Sequence, residues 1–546
     1  SGADITLFNA ANDFEGVVRT TGDDVKLWTA DTMNLGAATV AGDYTVYAGT
    51  SIDDSGAQII TGDATFKTHT NSSQITFDHA GNSFGGSFNT VGGIGYIVND
   101  SSADGIVLMG RTLVGNVIVT ASGPVTQNGA LIVGGLTSIT ATGRNVTLTD
   151  TSNDFKQSVK IIGANVEVVD GVATTIGGNS IGIDLGASTV SGTYTVTATA
   201  GNIIDSGTLA ITGLATLTTS ASGADIELDQ TGSTFAAGIS LNTTGSTGDA
   251  VVDNGTNALV IAASFLGGNL NLTSGNASGI TDSGIVTVGG DFSATTDANN
   301  GDIDMETLAV TGTITLTTND DANNNTGHAT VVNTTQVALT ASSIDGNLAV
   351  TATTGGITQS GALTITGTST LVTSANGATI ALDTTSNAFT GALTITTNDN
   401  FGADADVTID GGTTALIIAA STIDGDLTLT SGATAGITDS ATVTVLGDIY
   451  LTTNAGNGVI DMETLAVTGA VNLATNGSGD ATLVNATALK FEGSTIGGEL
   501  TATATSGDIT QSGPLDINGT GTTTITASAS GADITLFNAA NDFEGV

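Results

Sequence analysis

Two matching pairs of acids, Asp304 with Glu306 and Asp461 with Glu463, sit inside the same ten-residue string, Ile-Asp-Met-Glu-Thr-Leu-Ala-Val-Thr-Gly. They are the first places to look for an ordered Ca2+, a cation that takes all its ligands from oxygen; otherwise each pair is a solvated charged corner. The run from Asp406 to Gly412 reads both as a cation loop and as an acidic turn after a short strand. Neither the glycine-rich nonapeptide of calcium β-helices nor the EF-hand loop occurs. Cleaving polysaccharides needs clustered carboxylates with a basic partner, or a carboxylate pair at fixed separation. Residues 161–489 contain no Lys or Arg, and the acids are spread over repeating positions rather than gathered in one unique cluster. No catalytic residue and no enzyme activity are therefore expected. His69, His79 and His328 show no metal-ligand spacing, and are expected to be solvated or locally hydrogen-bonded. The absence of Cys excludes disulfides and thiolate metal sites. Calcium, diffuse or at the acidic corners, is the one cofactor left to consider.

With 52 acidic and 8 basic residues the formal net charge is −44. Such a body repels nucleic acid and anionic membranes, whose binding relies on Lys and Arg clusters. No apolar run is long enough to span a bilayer, and Ser1-Gly2-Ala3-Asp4 does not read as a signal peptide. The charge and the 76 Gly could suggest disorder, but 39% of the residues are hydrophobic and the β-branched ones fall in short alternating runs.

Those runs are organised in repeats at three levels. Ser1–Val17 returns as Ser530–Val546, 529 residues on. A triad recurs at Asp54-Ser55-Gly56, Gln127-Asn128-Gly129, Asp205-Ser206-Gly207, Asp282-Ser283-Gly284, Gln359-Ser360-Gly361, Asp439-Ser440-Ala441 and Gln511-Ser512-Gly513, at steps of 72 to 80 residues. Seven modules of roughly 76 residues result, and the Asp304 string returns after 157 residues, which suggests duplication in pairs. Finer still, Gly followed by Asp or Asn and a β-type residue recurs 20 or 22 residues apart, as at Gly42-Asp43-Tyr44 and Gly425-Asp426-Leu427, with a longer step of about 30 once per module. Three coils per module is the preferred count, with four shorter ones still open.

Segments such as Leu427-Thr428-Leu429-Thr430 alternate apolar and Thr with period two, sending aliphatic groups inward and hydroxyls outward. One coil cannot bury its apolar face alone; stacked coils can. The expected fold is all-β: a single-stranded parallel β-helix, or β-solenoid, right-handed, with 20–25 or more residues per coil. One continuous solenoid over 1–546 is expected, with 530–546 starting the next 529-residue period and about 21 coils making a rod on the order of 100 Å. Phe14, Phe84, Phe155, Phe235, Phe389 and Phe543 follow Asn- or Ser-containing corners and are expected to be core wedges; the member due near residue 312 is missing. No polar cap is evident at either end, so the ends are expected to continue into further copies of the repeat, in the same polypeptide or in a neighbouring subunit.

The strings Asn12-Asp13-Phe14-Glu15-Gly16-Val17, Asn82-Ser83-Phe84-Gly85-Gly86, Asn153-Asp154-Phe155 and Asn387-Ala388-Phe389-Thr390-Gly391-Ala392-Leu393, with the Asp-Ser-Gly and Gln-Ser-Gly triads, resemble those of filamentous-haemagglutinin-like adhesins and other giant repetitive bacterial surface proteins. The resemblance implies a long right-handed β-helix exported to the cell exterior. The functional expectation is an extracellular or cell-surface structural segment: a stalk, sheath or filament component. The alternatives are an adhesin for a host, cell-surface or glycan receptor, and a calcium-stabilised surface-layer or matrix protein. Residues 1–160, where Trp28, Tyr44, Tyr47 and Tyr96 concentrate, read either as ordinary variation among modules or as a region of lateral contact; nucleic-acid binding and membrane insertion are not expected. Asn71, Asn242, Asn333 and Asn485 head triplets that a glycosylating host could modify.

Overall fold

The computed structural model describes residues 2–70, 73–297, 300–318, 326–398 and 404–544. The chain divides into two compact units, Ser1–Leu270 and Asn271–Val546. Both are built from short strands stacked in parallel register, so each unit is a parallel β-solenoid with two sheets.

In the first unit, one sheet (sheet I) stacks Val25–Thr29, Tyr44–Ala48, Ala64–Thr68 and Ser87–Val91. Val25 pairs with Tyr44, Tyr44 with Ala64, and Ala64 with Phe88, so the coils contain 19, 20 and 24 residues. Between these straight strands the chain crosses to sheet II as bent pairs, such as Ile52–Asp54 with Gln58–Ile60 and Ile75–Phe77 with Ser83–Phe84. Side chains alternate as the sequence pattern requires: Val25, Leu27, Tyr44, Val46, Ala64 and Phe66 are buried, while Lys26, Thr45 and Thr65 face outward.

After four straight strands the two sheets exchange roles. Ser87–Val91 is followed by Tyr96–Asp100, also straight but lying in sheet II, where it pairs with Ile75–Phe77. Val117–Ala121, Thr137–Thr140 and Val159–Gly163 continue it there, and the bent pairs move to sheet I. The next exchange returns Val166–Asp170, Tyr194–Ala198, Ala215–Ser222 and Ile239–Thr244 to sheet I. Four straight strands and three bent pairs make seven half-turns, so a module is three and a half turns rather than three or four.

The second unit follows the same rule in its sheets III and IV. Ala329–Asn333, Leu348–Ala352, Ser369–Thr373 and Leu393–Thr396 are straight in sheet III. Val407–Asp410, Leu427–Ser431, Ile449–Gly456 and Ala470–Asn476 are straight in sheet IV, before Ala481–Asn485 returns to sheet III. Only every second module restores a residue to its sheet, which accounts for the 157-residue recurrence: Ile303–Val310 and Ile460–Val467 both lie in sheet III. The long step in the Gly-Asp series has the same origin. At the exchange, Gly327-His328 stands where Gly-Asp would, half a turn after Gly312, and the changed residue hides the step.

Corners are tight enough to demand glycine. Gly436 has φ of +67°, and a Cβ there would lie 1.7 Å from the Val459 carbonyl oxygen in the coil above. The Phe wedges fill the second arm of a bent pair: Phe84, Phe155, Phe235 and Phe389 are buried. Phe14 is half-buried and Phe543 is 41% exposed, both in outermost coils. The missing wedge is Val310, which occupies the same register place as Phe389, with Val467 its counterpart in the later copy of the string. Phe389→Ala leaves a cavity in a core that cannot close around it, so hydrogen exchange should show the opening of the neighbouring strands made easier by about 3–5 kcal/mol.

Candidate functional site

Each triad found in the sequence sits at the kink of its module's middle bent pair, where the chain turns and the parallel ladder is interrupted. Buried backbone groups at such a break still need partners. A polar side chain from the next coil supplies them. The Gln359 side chain exchanges two hydrogen bonds with Asn387, both at 2.8 Å, and Asn387 Oδ1 accepts the Leu363 N–H at 2.9 Å. The Asn387 amide also donates to the Leu382 and Asp410 carbonyls. The same clamp joins Gln127 to Asn153 and Gln511 to Asn541. Asp54 receives the Asn82 amide at 2.6 Å. At Asp282 and Asp439 the partner is a threonine: Thr307 and Thr464 each give Oδ2 both a backbone N–H and a hydroxyl.

These contacts place the candidate metal ligands. Asp304 and Glu306, like Asp461 and Glu463, project outward from their strand. The backbone of Glu306 and Glu463 donates to Asp282 and Asp439, so each pair flanks a kink carboxylate already committed to hydrogen bonds. Burial, and then the neighbouring Glu306, Asp282 and Asp302 charges, raise the Asp304 carboxyl above its ordinary range. Among the described residues no group of three or more His, Asp or Glu is placed to hold a metal ion.

The Gly-Asp and Gly-Asn corners form a second array. The Asp43 N–H donates to Asp24 Oδ1, Asp63 to Asp43, and Ser87 to Asp63, each at 2.9 Å. Asp406, Asp426 and Asp448 make an equivalent stack, and the Asp410 carboxylate turns back onto the Gly412 N–H at 2.7 Å. The run from Asp406 to Gly412 is thus a corner with a turn after its strand. His328 joins its stack through Nδ1, which accepts the Asn347 N–H. His79 Nδ1 accepts the Gly81 N–H, and His69 stacks on Trp28.

Other sequence candidates move once side chains are placed. Tyr44 and Tyr96 are buried in the core, so they cannot form a lateral contact. Trp28 and Tyr47 do face outward, in a cluster with Phe8 and His69 and with Lys67 over the Tyr47 ring. Asn333 and Asn485 are also buried; they hold the N–H and carbonyl of Val310 and Val467 and cannot receive a glycan in the folded chain. Asn71 lies outside the described residues. The buried asparagines are what the sequence reading missed. Asn82, Asn153 and Asn387 carry a local signal, each standing two residues before a Phe wedge, whereas Asn333 and Asn485 carry none.

Acids are buried both where the sheets exchange, as at Asp100 and Asp170, and at the kink of the third module, at Asp205. Asp170 accepts the Phe155 and Val172 N–H groups, and burial pushes its carboxyl up to about 7 despite those bonds. Asp205 is raised by burial to about 7 as well.

The strand order, the register and the repeated clamps define a tandem-repeat parallel β-solenoid. Six segments, residues 22–91, 97–162, 170–242, 247–317, 326–396 and 478–546, match the family described as repeats of unknown function (DUF5649), and the chain belongs to that family. Four of the matches, 22–91, 97–162, 247–317 and 326–396, run from the first straight strand of a structural module to the fourth. Residues 397–477 lie outside the matches, yet Val407–Asp410 to Ala470–Asn476 repeat the same order. No curated protein and no solved structure matches the chain.

A proton held by folded Asp170 up to about pH 7 is released by the unfolded chain in the ordinary carboxylate range. Across that window the folded state binds more protons, so stability falls as pH rises. Thermal unfolding midpoints should therefore drop between pH 5 and pH 7.5 or so, and Asp170→Asn should shrink that drop.

Proposed function

We propose that the chain is a non-catalytic structural segment, a stalk, sheath or filament component, of an extracellular surface protein of the filamentous-haemagglutinin-like kind. One observation carries this reading: the residues that could do chemistry are spent on the fold. Six of the seven triad residues at the kinks have both side-chain ends engaged by the next coil, and the acidic corners cap backbone N–H groups. Repetition of such a clamp in six of the seven modules serves length, whereas catalysis needs a single distinct constellation. The resemblance to exported surface proteins supports placement at the cell exterior, and the parallel ladders offer natural partners in further copies of the same repeat.

The adhesin reading is favoured by one feature, the outward ring cluster of Phe8, Trp28, Tyr47 and His69. Rings at a surface supply contact area at low entropic cost. Antibody raised against the chain separates the readings on whole cells of the source. Structural use predicts label spaced along surface fibres and unchanged fibre binding when Trp28 and Tyr47 are replaced by Ala. Label confined to compact particles, or loss of cell attachment on those two substitutions with fibres intact, contradicts it.

A further inference from the structure

The clamp at the kinks fails in one module, and that module carries a feature the other described ones lack. Asp205 is the triad residue of the third module, and its Oδ1 accepts the Asp229 N–H at 3.0 Å. The place held by Asn82, Asn153, Asn387 and Asn541 elsewhere is Ser233 here. The serine hydroxyl satisfies the Leu209 N–H at 3.1 Å, as the asparagine oxygen does in the other modules, but it has no amide to offer the acid. Asp205 Oδ2 is left without a hydrogen-bond partner, on a residue only 7% exposed. Leaving a buried carboxylate oxygen unpaired is costly.

The coil beneath is also altered. From Glu167 to its register partner Thr195 it takes 28 residues, the longest step among the described straight strands. The added length makes a hairpin, Thr174–Ile176 against Asn179–Leu185, the one antiparallel pairing among the described strands, turning through Gly177 and Gly178 at positive φ. Between the hairpin and the next two coils lies a cavity of about 250 Å3, lined by Asn179, Ile181, Ile204, Asp205, Glu227 and Asp229. Asp184, the register partner of Ile204 on the hairpin side, has an unpartnered buried Oδ1 of its own, two strands from Glu227.

We propose that this cavity binds a hard divalent cation, Ca2+ or Mg2+, with Asp205 as its anchoring carboxylate. The donors are all oxygen, which selects such ions over softer metals. No three acids among the described residues converge closely enough to chelate a bare ion, so the ion keeps part of its water shell and reaches Glu227, Asp229 and the Asn179 side chain through water. The cavity is open to solvent on one side and has room for an ion with most of its first water shell. The unpartnered oxygen then gains the positive partner that Asn82 supplies to Asp54.

The test is Ser233→Asn, which recreates the Asp54–Asn82 pair at this kink while leaving every charge in place. Isothermal titration of the full chain with CaCl2, and separately with MgCl2, is run near physiological salt, where the diffuse cation atmosphere is screened. The wild-type chain should show one saturable event per chain with at least one of the two ions. Ser233→Asn should weaken it at least about tenfold while unfolding no more easily than wild type, and Asp205→Asn should abolish it. Purely diffuse uptake by the wild type, or the same saturable event in Ser233→Asn, overturns the proposal. Comparing the two ions shows which of them fits.

Discussion

Apart from the hairpin strand Thr174–Ile176, the described strands stack in parallel on strands one coil away, and that single demand shapes the rest. A straight strand stacks without difficulty, because its N–H and carbonyl groups meet equivalents above and below. A bent pair interrupts the ladder at its kink, and its buried backbone groups would go unpaired. The Gln359–Asn387 type of clamp resolves this from the side chains, with one asparagine engaging the kink residue, the next backbone N–H and two carbonyls. The asparagine then fixes where the following Phe enters the core. The polar clamp and the apolar wedge are one device, which explains why Asn and Phe travel together two residues apart.

The half-turn remainder follows from the same stacking. Three bent pairs bounded by four straight strands end a module on the sheet where it began, so the next straight strand must lie on the other sheet. Straight strands then stack on bent pairs at each exchange, as Val407–Asp410 does on Ile380–Leu382. Junctions bring buried polar groups with them: Asp100, Asp170, Asn333 and Asn485 all come from the first straight strand of a new module and cap the wedge position of the previous one. Where the cap is a carboxylate its burial costs stability at neutral pH; where it is Asn it does not. This sets a physical reason for the mixture of Asp and Asn at one structural place.

Much of this was legible in the sequence. Period-two alternation, glycine corners and the triads are local signals, and they were enough for the fold class. The turn count was not legible, because sheet exchange leaves no local mark: Tyr96–Asp100 reads like Ser87–Val91 although it lies on the opposite sheet. Outward and inward aromatics were also indistinguishable without register, which is why Tyr44 and Tyr96 were grouped with Trp28 and Tyr47. The open kink at Asp205 was visible only as a serine where asparagine recurs, and its meaning depends on the hairpin and cavity that the fold brings beside it.

The exchange of sheets at module junctions is the central claim, and cysteine pairs test it directly in a chain that has no cysteine of its own. Ala381 and Thr408 are register partners across the junction, both facing outward, whereas Thr394 and Thr408 lie on opposite sheets. Oxidation should cross-link the variant with cysteines at 381 and 408 and leave the one with cysteines at 394 and 408 as free thiols. A disulfide in the second variant and none in the first would mean that straight strands stack on straight strands through the junction, and the account would be wrong.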